Sequence, residues 1–316
     1  MSEARHALLA PCEARRAIGA VTSGVHDRTV TTSELLHSAA DDAVVSRSMA
    51  DAPLPAYESH SSISTYRACP LRYGFRYVER RPGEVNPGQF AFGSAVHKAF
   101  EAFGLARIRA ITDGTPEPGQ EVLQAALDRK LSSSGLTDAE IEEARLRAVP
   151  VLARFLEVET RMAAQPVAVE LGFGVGVELA GDADGFRFVG YVDRVDRAPD
   201  GSTQIVDYKT GRTRSQADVD ADVQLTAYAF GCARGGLQDP GTGATLPPAS
   251  RLGLYFAESG ELLWTTRSNE QLAAFETGLV ETVGRIHDRE FAARPAPWRC
   301  RWCEYRRECP EASLEA

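Results

Sequence analysis

The sequence lacks the features that would place the protein in a membrane or make it a motor. It has no run of about 18 apolar residues, so no membrane span is predicted. The first 20 residues lack the long apolar stretch of a secretory signal, and the predicted compartment is therefore the cytoplasm. No GxxxxGK[ST] string occurs, which excludes a P-loop helicase motor within this sequence.

The sequence also has fewer basic than acidic residues. Lysine and arginine total 35 against 44 acidic residues, giving a formal net charge of −9. This balance argues against a nucleic-acid partner, because phosphate binding needs local positive charge. Arginine nevertheless clusters with aromatic residues in two segments, 66–81 and 294–308, and such a mixture suits phosphates and stacked bases. The alternative interpretation of both clusters is a solvated, salt-bridged surface.

The order of the patterned segments predicts an α/β (α+β) fold. Residues 1–55 are rich in Ala, Ser, Thr and Asp and are predicted to form a disordered tail, leaving 56–316 as the folded domain. Helical periodicity comes first, and three strand-like segments with alternating apolar residues follow before position 210. A helix, two further strands and a long helix complete the pattern. It favours a mixed central sheet flanked by helices.

A carboxylate and a lysine stand two residues apart in "VDYKTGR". On a strand, Asp207 and Lys209 point to the same face. Asp193, in "GYVDRVDR", lies one turn earlier, so its strand is predicted to be adjacent. Two converging carboxylates suit Mg²⁺, and a lysine beside them can orient a water molecule and offset charge on a phosphate. The alternative is a surface ion pair that contributes little.

Three further side chains are candidates for the same site. His97 lies in the apolar helix "FGSAVHKAF", where it is either an imidazole ligand or a packed core residue. Gln224 and Tyr228 are four residues apart and share one helical face. An amide and a phenol placed there can hydrogen-bond a nucleotide, or belong to an ordinary helix surface.

The motifs "GSAVH", "GYVD", "IVDYK" and "QLTAY", in this order over residues 61–310, resemble the RecB-like branch of the PD-(D/E)XK nuclease superfamily. The resemblance implies a restriction-endonuclease-like sheet and a metal-dependent DNA exonuclease acting on single-stranded ends in DNA processing or repair. It also implies a Mg²⁺ or Mn²⁺ site, catalytic carboxylates, a lysine that serves the attacking water, and substrate-facing side chains. The implied metal ligands are His97, Asp193, Asp207 and the backbone carbonyl of Tyr208; the catalytic residues are Asp193, Asp207 and Lys209; the substrate-facing residues are Gln224 and Tyr228. Glu170, in "VAVELGF", matches an acidic position of the first strand, with a supporting or structural role.

The cysteines form a second constellation. "CRWCEYRREC" carries Cys300, Cys303 and Cys309 with C-x2-C-x5-C spacing, which is typical of a metal or cluster site that lacks one ligand. Cys69, more than two hundred residues earlier, is the candidate fourth ligand. Zinc and iron–sulfur both accept four thiolates, and three unpaired thiols are the remaining alternative.

The family resemblance favours iron–sulfur. The AddB nuclease domain and the CRISPR-associated adaptation nucleases share one cysteine before the histidine motif and three after the core. By that resemblance Cys69, Cys300, Cys303 and Cys309 would ligate a [4Fe–4S] cluster that joins the N- and C-terminal segments of the domain. Two other functions stay open: a DNA-end-binding or assembly module for a helicase partner, and a CRISPR-adaptation nuclease.

Overall fold

The computed structural model describes residues 49–84, 87–179 and 182–313. The predicted disordered tail lies outside the described residues as far as position 48. Residues 49–55 lie against the folded body, where Ala52 is buried. The guanidinium of Arg289 donates to the carbonyl oxygens of Met49 (2.7 Å) and Ala52 (2.9 Å). The division of the chain at residue 55 otherwise stays a prediction.

A mixed sheet forms the centre of the described chain. Its strands are β1 (Tyr57–Ser59), β2 (Gln165–Leu179), β3 (Asp182–Arg197), β4 (Thr203–Lys209), β5 (Ala249–Phe256) and β6 (Glu261–Thr265). Their order is β1-β3-β4-β5-β6, and β2 pairs with β3. The β2/β3, β3/β4 and β5/β6 pairs are antiparallel, whereas β1/β3 and β4/β5 are parallel. The predicted mixed central sheet is confirmed, and the three strands predicted before position 210 are β2, β3 and β4.

Helices precede and follow the strands. They are α1 (His60–Ala68), α2 (Pro70–Tyr73), α3 (Ala91–Asp113), α4 (Gln120–Ser132), α5 (Asp138–Arg161), α6 (Gln216–Asp220), α7 (Val223–Ala233), α8 (Asn269–His287) and α9 (Pro297–Cys300). Four of them begin at a capping box, in which a Ser or Thr side chain accepts a hydrogen bond from the backbone amide three residues later. The capping residues are Ser59, Thr137, Ser215 and Ser268. Within the described ranges, no helix is long and apolar enough to cross a membrane.

The sheet separates two hydrophobic clusters, because alternate residues of a strand face opposite sides. Val206 and Tyr208 of β4 pack with the helical layer of α3, α4 and α5. In that layer the rings of Phe100 and Phe155 stack at 3.9 Å. Ile205 of β4 belongs instead to the cluster formed with α1, α7 and α8. Burying each large apolar side chain contributes about 1.5–3 kcal/mol, so both layers hold β4 firmly.

The β3/β4 ladder ends where the candidate site begins. The last residue pair of the ladder joins Arg194 to Val206, and the next residues in that register are Asp193 and Asp207. The two strands part at this point. Two carboxylates therefore stand opposite each other at the end of a rigid ladder.

Candidate active site

The backbone of β4 holds Asp193 in place. Where the ladder stops, the Tyr208 amide donates to Oδ2 of Asp193 at 2.8 Å. Nδ1 of His97, on α3, lies 3.6 Å from the same carboxylate oxygen. The structure thus brings together the histidine of one motif and the acidic residue of another, although 96 residues separate them in the sequence.

The opposed carboxylates disfavour each other electrostatically. Burial, followed by the nearby charge of Asp207, raises the pKa of Asp193 to about 8. Burial also lowers the pKa of His97, which favours the neutral imidazole that can bind a metal. A divalent cation between these groups would offset the repulsion, so the donor set fits a hard cation such as Mg²⁺.

Glu170 joins the same cluster from β2. Its neighbours Val169 and Leu171 pair with Arg194 and Val192 of β3, so Glu170 lies at the level of Asp193. Ligand atoms of His97, Glu170 and Asp193 all lie within 4.8 Å of one another. The Glu170 backbone has φ +48°, a left-handed conformation that is costly for a residue with a side chain. Strain at this position is consistent with a functional placement of its carboxylate.

Lys209 belongs to a closed set of polar contacts. Its Nζ lies 2.6 Å from Oδ2 of Asp207 and donates to Oε1 of Gln224 at 2.7 Å. The Gln224 amide donates to the Tyr228 hydroxyl (2.6 Å), which donates to Oδ1 of Asp207 (3.1 Å). These four side chains, from β4 and α7, fix the direction of the lysine ammonium.

The contacts of the "QLTAY" motif bear on its predicted substrate-facing role. Tyr228 is only 5% exposed, and its hydroxyl is engaged with Asp207. Gln224 is partly buried and lines the cleft beside Lys209. The geometry supports a positioning role for Tyr228, while the substrate contact of Gln224 stays a prediction.

The glycine of the "GSAVH" motif allows α3 to approach the end of β4. A Cβ atom added at Gly93 would lie 2.8 Å from Oγ1 of Thr210, closer than real Cβ atoms approach. Gly93 precedes His97 by about one helical turn. Its missing side chain therefore helps to set the distance between the histidine and the strand that carries Asp207.

A loop after β4 adds a cation that the sequence motifs did not single out. Residues 210–212 line the cleft together with His97, Asp193 and Lys209. Arg214 in the same loop pairs with Asp222 at 2.8 Å. Arg212 is exposed and has no carboxylate partner among the described residues. Its position just beyond "DYKTG" was the only available sequence signal.

The four candidate cysteine ligands meet in one place. Cys69, Cys300, Cys303 and Cys309 line a common pocket. The backbone amide of Arg294 donates to the Cys69 sulfur at 3.4 Å. Burial first, and then neighbouring groups that include Cys69, raise the pKa values of the Cys303 and Cys309 thiols. The thiols are thus close in space, although the predicted ligand roles remain a proposal.

The two arginine clusters are partly salt-bridged. Arg72 and Arg76 both reach Glu304, at 2.7 and 3.5 Å. Arg306 and Arg307 reach Glu84, at 3.7 and 2.9 Å. The solvated, salt-bridged interpretation therefore holds for these four arginines. It does not account for every member of either cluster.

A cluster of a histidine and carboxylates that could hold a metal ion, placed where the central strands of a mixed sheet part, is typical of one class of protein, the metal-dependent nucleases. The chain belongs to the PD-(D/E)XK nuclease superfamily, because the sequence model of that superfamily matches residues 58–310. Members hydrolyse phosphodiester bonds and use Mg²⁺ or Mn²⁺, and the family implies DNA as a binding partner. The predicted restriction-endonuclease-like fold agrees with this membership.

Two other comparisons add little. A solved structure described as "Crystal structure of SSO0001" is 13% identical and covers 71% of this chain and 97% of its own, with a TM-score of 0.35. A similarity at that level carries no argument about function. No curated protein matches the chain.

Proposed function

We propose that the protein is a metal-dependent DNA exonuclease that acts on single-stranded ends in DNA processing or repair. The observation that carries the proposal is the pair of opposed carboxylates, Asp193 and Asp207, with His97 on one side and Lys209 on the other. Superfamily membership supplies the reaction class, hydrolysis of a phosphodiester bond.

Five groups of the site could bind the metal ion. His97, Glu170, Asp193, Asp207 and the Tyr208 carbonyl are the candidate metal ligands. When bound, Mg²⁺ or Mn²⁺ supplies a Lewis acid that stabilises negative charge on the phosphate.

Lys209 holds the attacking water. Asp207 and Gln224 orient its ammonium group, which donates a hydrogen bond to the water and offsets charge as the new P–O bond forms. As the water oxygen bonds to phosphorus, the water gives up a proton to solvent and the P–O bond on the opposite side breaks. The leaving oxygen then takes up a proton from solvent. Arg212 offers its guanidinium to a neighbouring phosphate. Tyr228 holds the Asp207 carboxylate in position.

Cleavage of end-labelled single- and double-stranded DNA tests the proposal. Wild type should degrade single strands with Mg²⁺ or Mn²⁺ and should stop in EDTA. Lys209→Ala and Asp207→Asn should each lower the rate by at least about 100-fold. Lys130→Ala, which removes a lysine of α4, should cleave like wild type. Full activity of both site variants would refute the assignment.

The thiol pocket is proposed to hold a [4Fe–4S] cluster. Tetrahedral zinc with Zn–S bonds of about 2.3 Å would place its sulfurs about 3.8 Å apart. In the described ranges, the one set of three potential ligand atoms within 4.8 Å of one another is His97, Glu170 and Asp193, so the thiols are spaced more widely than zinc requires. The Cys69 sulfur already accepts a backbone amide, an interaction that tunes such clusters.

Anaerobic purification tests the cluster. Wild type should be brown and contain iron and acid-labile sulfide, and Cys303→Ser should lose the colour and much of its soluble yield. Cys232→Ser, at a buried thiol of α7 outside the pocket, is the matched control and should keep the colour. A colourless protein with stoichiometric zinc would overturn the cluster.

The intact contacts of Lys209 favour an enzyme over a DNA-end-binding module. A protein that shifts DNA in a gel but never cleaves it would support that second function. A helicase partner, the CRISPR-adaptation role and the cytoplasmic location stay predictions.

A further inference from the structure

Two tryptophans beside the cysteine pocket are strongly exposed. Trp298 lies in α9 and is 69% exposed, and Trp302 follows in the next turn and is 74% exposed. Residues four apart in a helical turn project to the same side. Such large aromatic side chains are rarely left in water in pairs, and their exposure indicates a binding surface.

The positive charge around these indoles indicates an anionic binding partner. Arg294, Arg299 and Arg301 have no carboxylate partner among the described residues, unlike the four arginines that reach Glu84 and Glu304. Their side-chain contacts are otherwise neutral, since Arg294 and Arg299 donate to the carbonyls of Arg67 and Arg294. In a chain of net charge −9, this is a local excess of positive charge that fits an anionic partner.

One face of an indole is already occupied. The guanidinium of Arg299 lies 4.6 Å from the centre of the Trp298 ring. This cation–π contact restricts the ring and leaves its other face open. A restricted indole with one open face, beside unpaired cations, has the features of a stacking platform for a nucleic-acid base.

Helix α1 connects this surface with the cleft. His60, the first residue of α1, interacts electrostatically with Asp207 and Lys209. Cys69 directly follows the last residue of α1 and lines the thiol pocket next to Cys300. Nine helical residues span about 13 Å, so α1 extends over that length from the end near the cleft to the thiol pocket.

We propose that Trp298 and Trp302, with Arg294, Arg299 and Arg301, bind single-stranded nucleic acid by stacking on its unpaired bases. The interior base pairs of a duplex cannot use this surface, because both of their faces are already stacked. The inference that the bound strand leads toward the cleft rests on the proposed nuclease function; the stacking itself does not.

Binding without cleavage tests the stacking. The parent is the full chain carrying Lys209→Ala, with no divalent metal, and the probes are fluorescent oligo(dT) and an abasic strand of equal length. In that parent, Trp298→Ala with Trp302→Ala should weaken oligo(dT) binding by at least tenfold, which corresponds to about 1.4 kcal/mol. Affinity for the abasic strand should not change. Leu146→Ala, an exposed apolar residue of α5 (66% exposed), is the control and should bind both probes like the parent.

Conservative variants guard against a folding defect. Trp298→Phe with Trp302→Phe keeps two aromatic faces and should retain most of the oligo(dT) affinity. In a Trp264→Phe chain, which leaves only these two indoles, oligo(dT) should quench the tryptophan fluorescence and the abasic strand should not. Arg301→Ala should reduce the slope of log affinity against log salt concentration by about one, and it should do so for both probes.

Two results would overturn the inference: oligo(dT) affinity unchanged in the double alanine variant, or equal loss for both strands. Neither result depends on whether wild type cleaves DNA. Stacking without any cleavage by wild type would uphold this surface while refuting the nuclease proposal.

Discussion

At the scale of single residues, Glu170 shows how a local cost can indicate a function. A left-handed conformation costs a residue with a side chain about 1–2 kcal/mol, and Asn or Gly would occupy it more readily. Glu170 adopts it inside β2, a strand paired on either side of that position. The conformation brings its carboxylate to His97 and Asp193.

Separating strain from ligation requires two variants. Glu170→Ala and Glu170→Gly both remove the carboxylate, so both should weaken Mn²⁺ binding measured by calorimetry. Only glycine relieves the φ of +48°, so Glu170→Gly should be about 1 kcal/mol more stable than Glu170→Ala in urea unfolding. Equal stability would show that the backbone is not strained there, and unchanged Mn²⁺ affinity would remove Glu170 from the ligands.

Tyr228 provides a second prediction at this scale. Tyr228→Phe removes the hydroxyl that donates to Asp207 and accepts from Gln224. A hydrogen bond contributes about 0.5–1.5 kcal/mol, so kcat should fall about three- to tenfold with little change in KM. Tyr255→Phe is the matched control, because the buried Tyr255 hydroxyl has no hydrogen-bond partner in the described chain. An equal effect of both variants would argue against a positioning role.

At the scale of elements, the closeness of α3 to the end of β4 decides where His97 stands. Gly93→Ala should improve helix propensity by about 0.5–1 kcal/mol, yet its Cβ meets Thr210. The close contact offsets the gain in helix propensity, so we expect little change in stability and weaker Mn²⁺ binding. Adding Thr210→Ala should restore binding, whereas Thr210→Ala alone should bind like wild type. Failure of the double variant to recover would assign the loss to another cause.

A buried acid in β1 predicts a pH dependence of stability. The Glu58 carboxylate accepts hydrogen bonds from the hydroxyls of Ser62 and Tyr73, and burial raises its pKa above the ordinary 4.5. The folded state therefore holds the proton more tightly than the unfolded state. The stability that this proton provides is complete below about pH 4.5 and decreases as the pH rises through the folded pKa.

Glu58→Gln removes this titration while keeping an acceptor oxygen. The unfolding free energy of wild type should fall relative to that of Glu58→Gln as the pH rises from about 4.5, and the difference should level off above the folded pKa. For Glu140→Gln, the pH dependence of the difference in unfolding free energy from wild type should have the opposite sign. A hydrogen bond from the Thr137 amide lowers the pKa of Glu140, so its contribution is lost as the pH falls. Parallel urea titrations across pH would measure both, and a flat Glu58 difference would contradict the prediction.

The elements also show what sequence alone can predict. The alternation of side chains along a strand predicts that Asp207 and Lys209 lie on the same face of β4, and their side chains do pair. The single turn between β3 and β4 predicts that these strands are neighbours, and they pair in the sheet. The left-handed conformation of Glu170 has no signal in its residue type, so the sequence alone does not assign its role. Strand β1, with three residues, is too short to show alternation. The partners of the arginines near Glu304 depend on contacts between segments more than two hundred residues apart.

At the scale of the whole described molecule, two kinds of contact tie residues 69–84 to 300–309. The thiol pocket is one. The other is protein alone: Tyr305 is 2% exposed, packs on Phe75 and donates to the Arg81 carbonyl at 3.0 Å. The surrounding salt bridges are partly exposed, and such pairs contribute at most about 1 kcal/mol each.

The thiol pocket and the packing of Tyr305 should stabilise the contact between the two segments to different extents, and hydrogen exchange can measure the difference. The proposed cluster would cross-link Cys69 and Cys300 across roughly 230 residues. By reducing the entropy of the unfolded state, that cross-link would raise its free energy by about 5 kcal/mol at room temperature. Burial of Tyr305 contributes about 1.5–3 kcal/mol. Cys303→Ser should therefore speed exchange strongly in residues 69–84 and 297–313 and leave β3 to β5 protected. Tyr305→Ala should keep the cluster and show a smaller increase in the same two segments. If Cys303→Ser left exchange unchanged in both segments, packing around Tyr305 would be the tie, and the cluster would have another role than holding the two segments together.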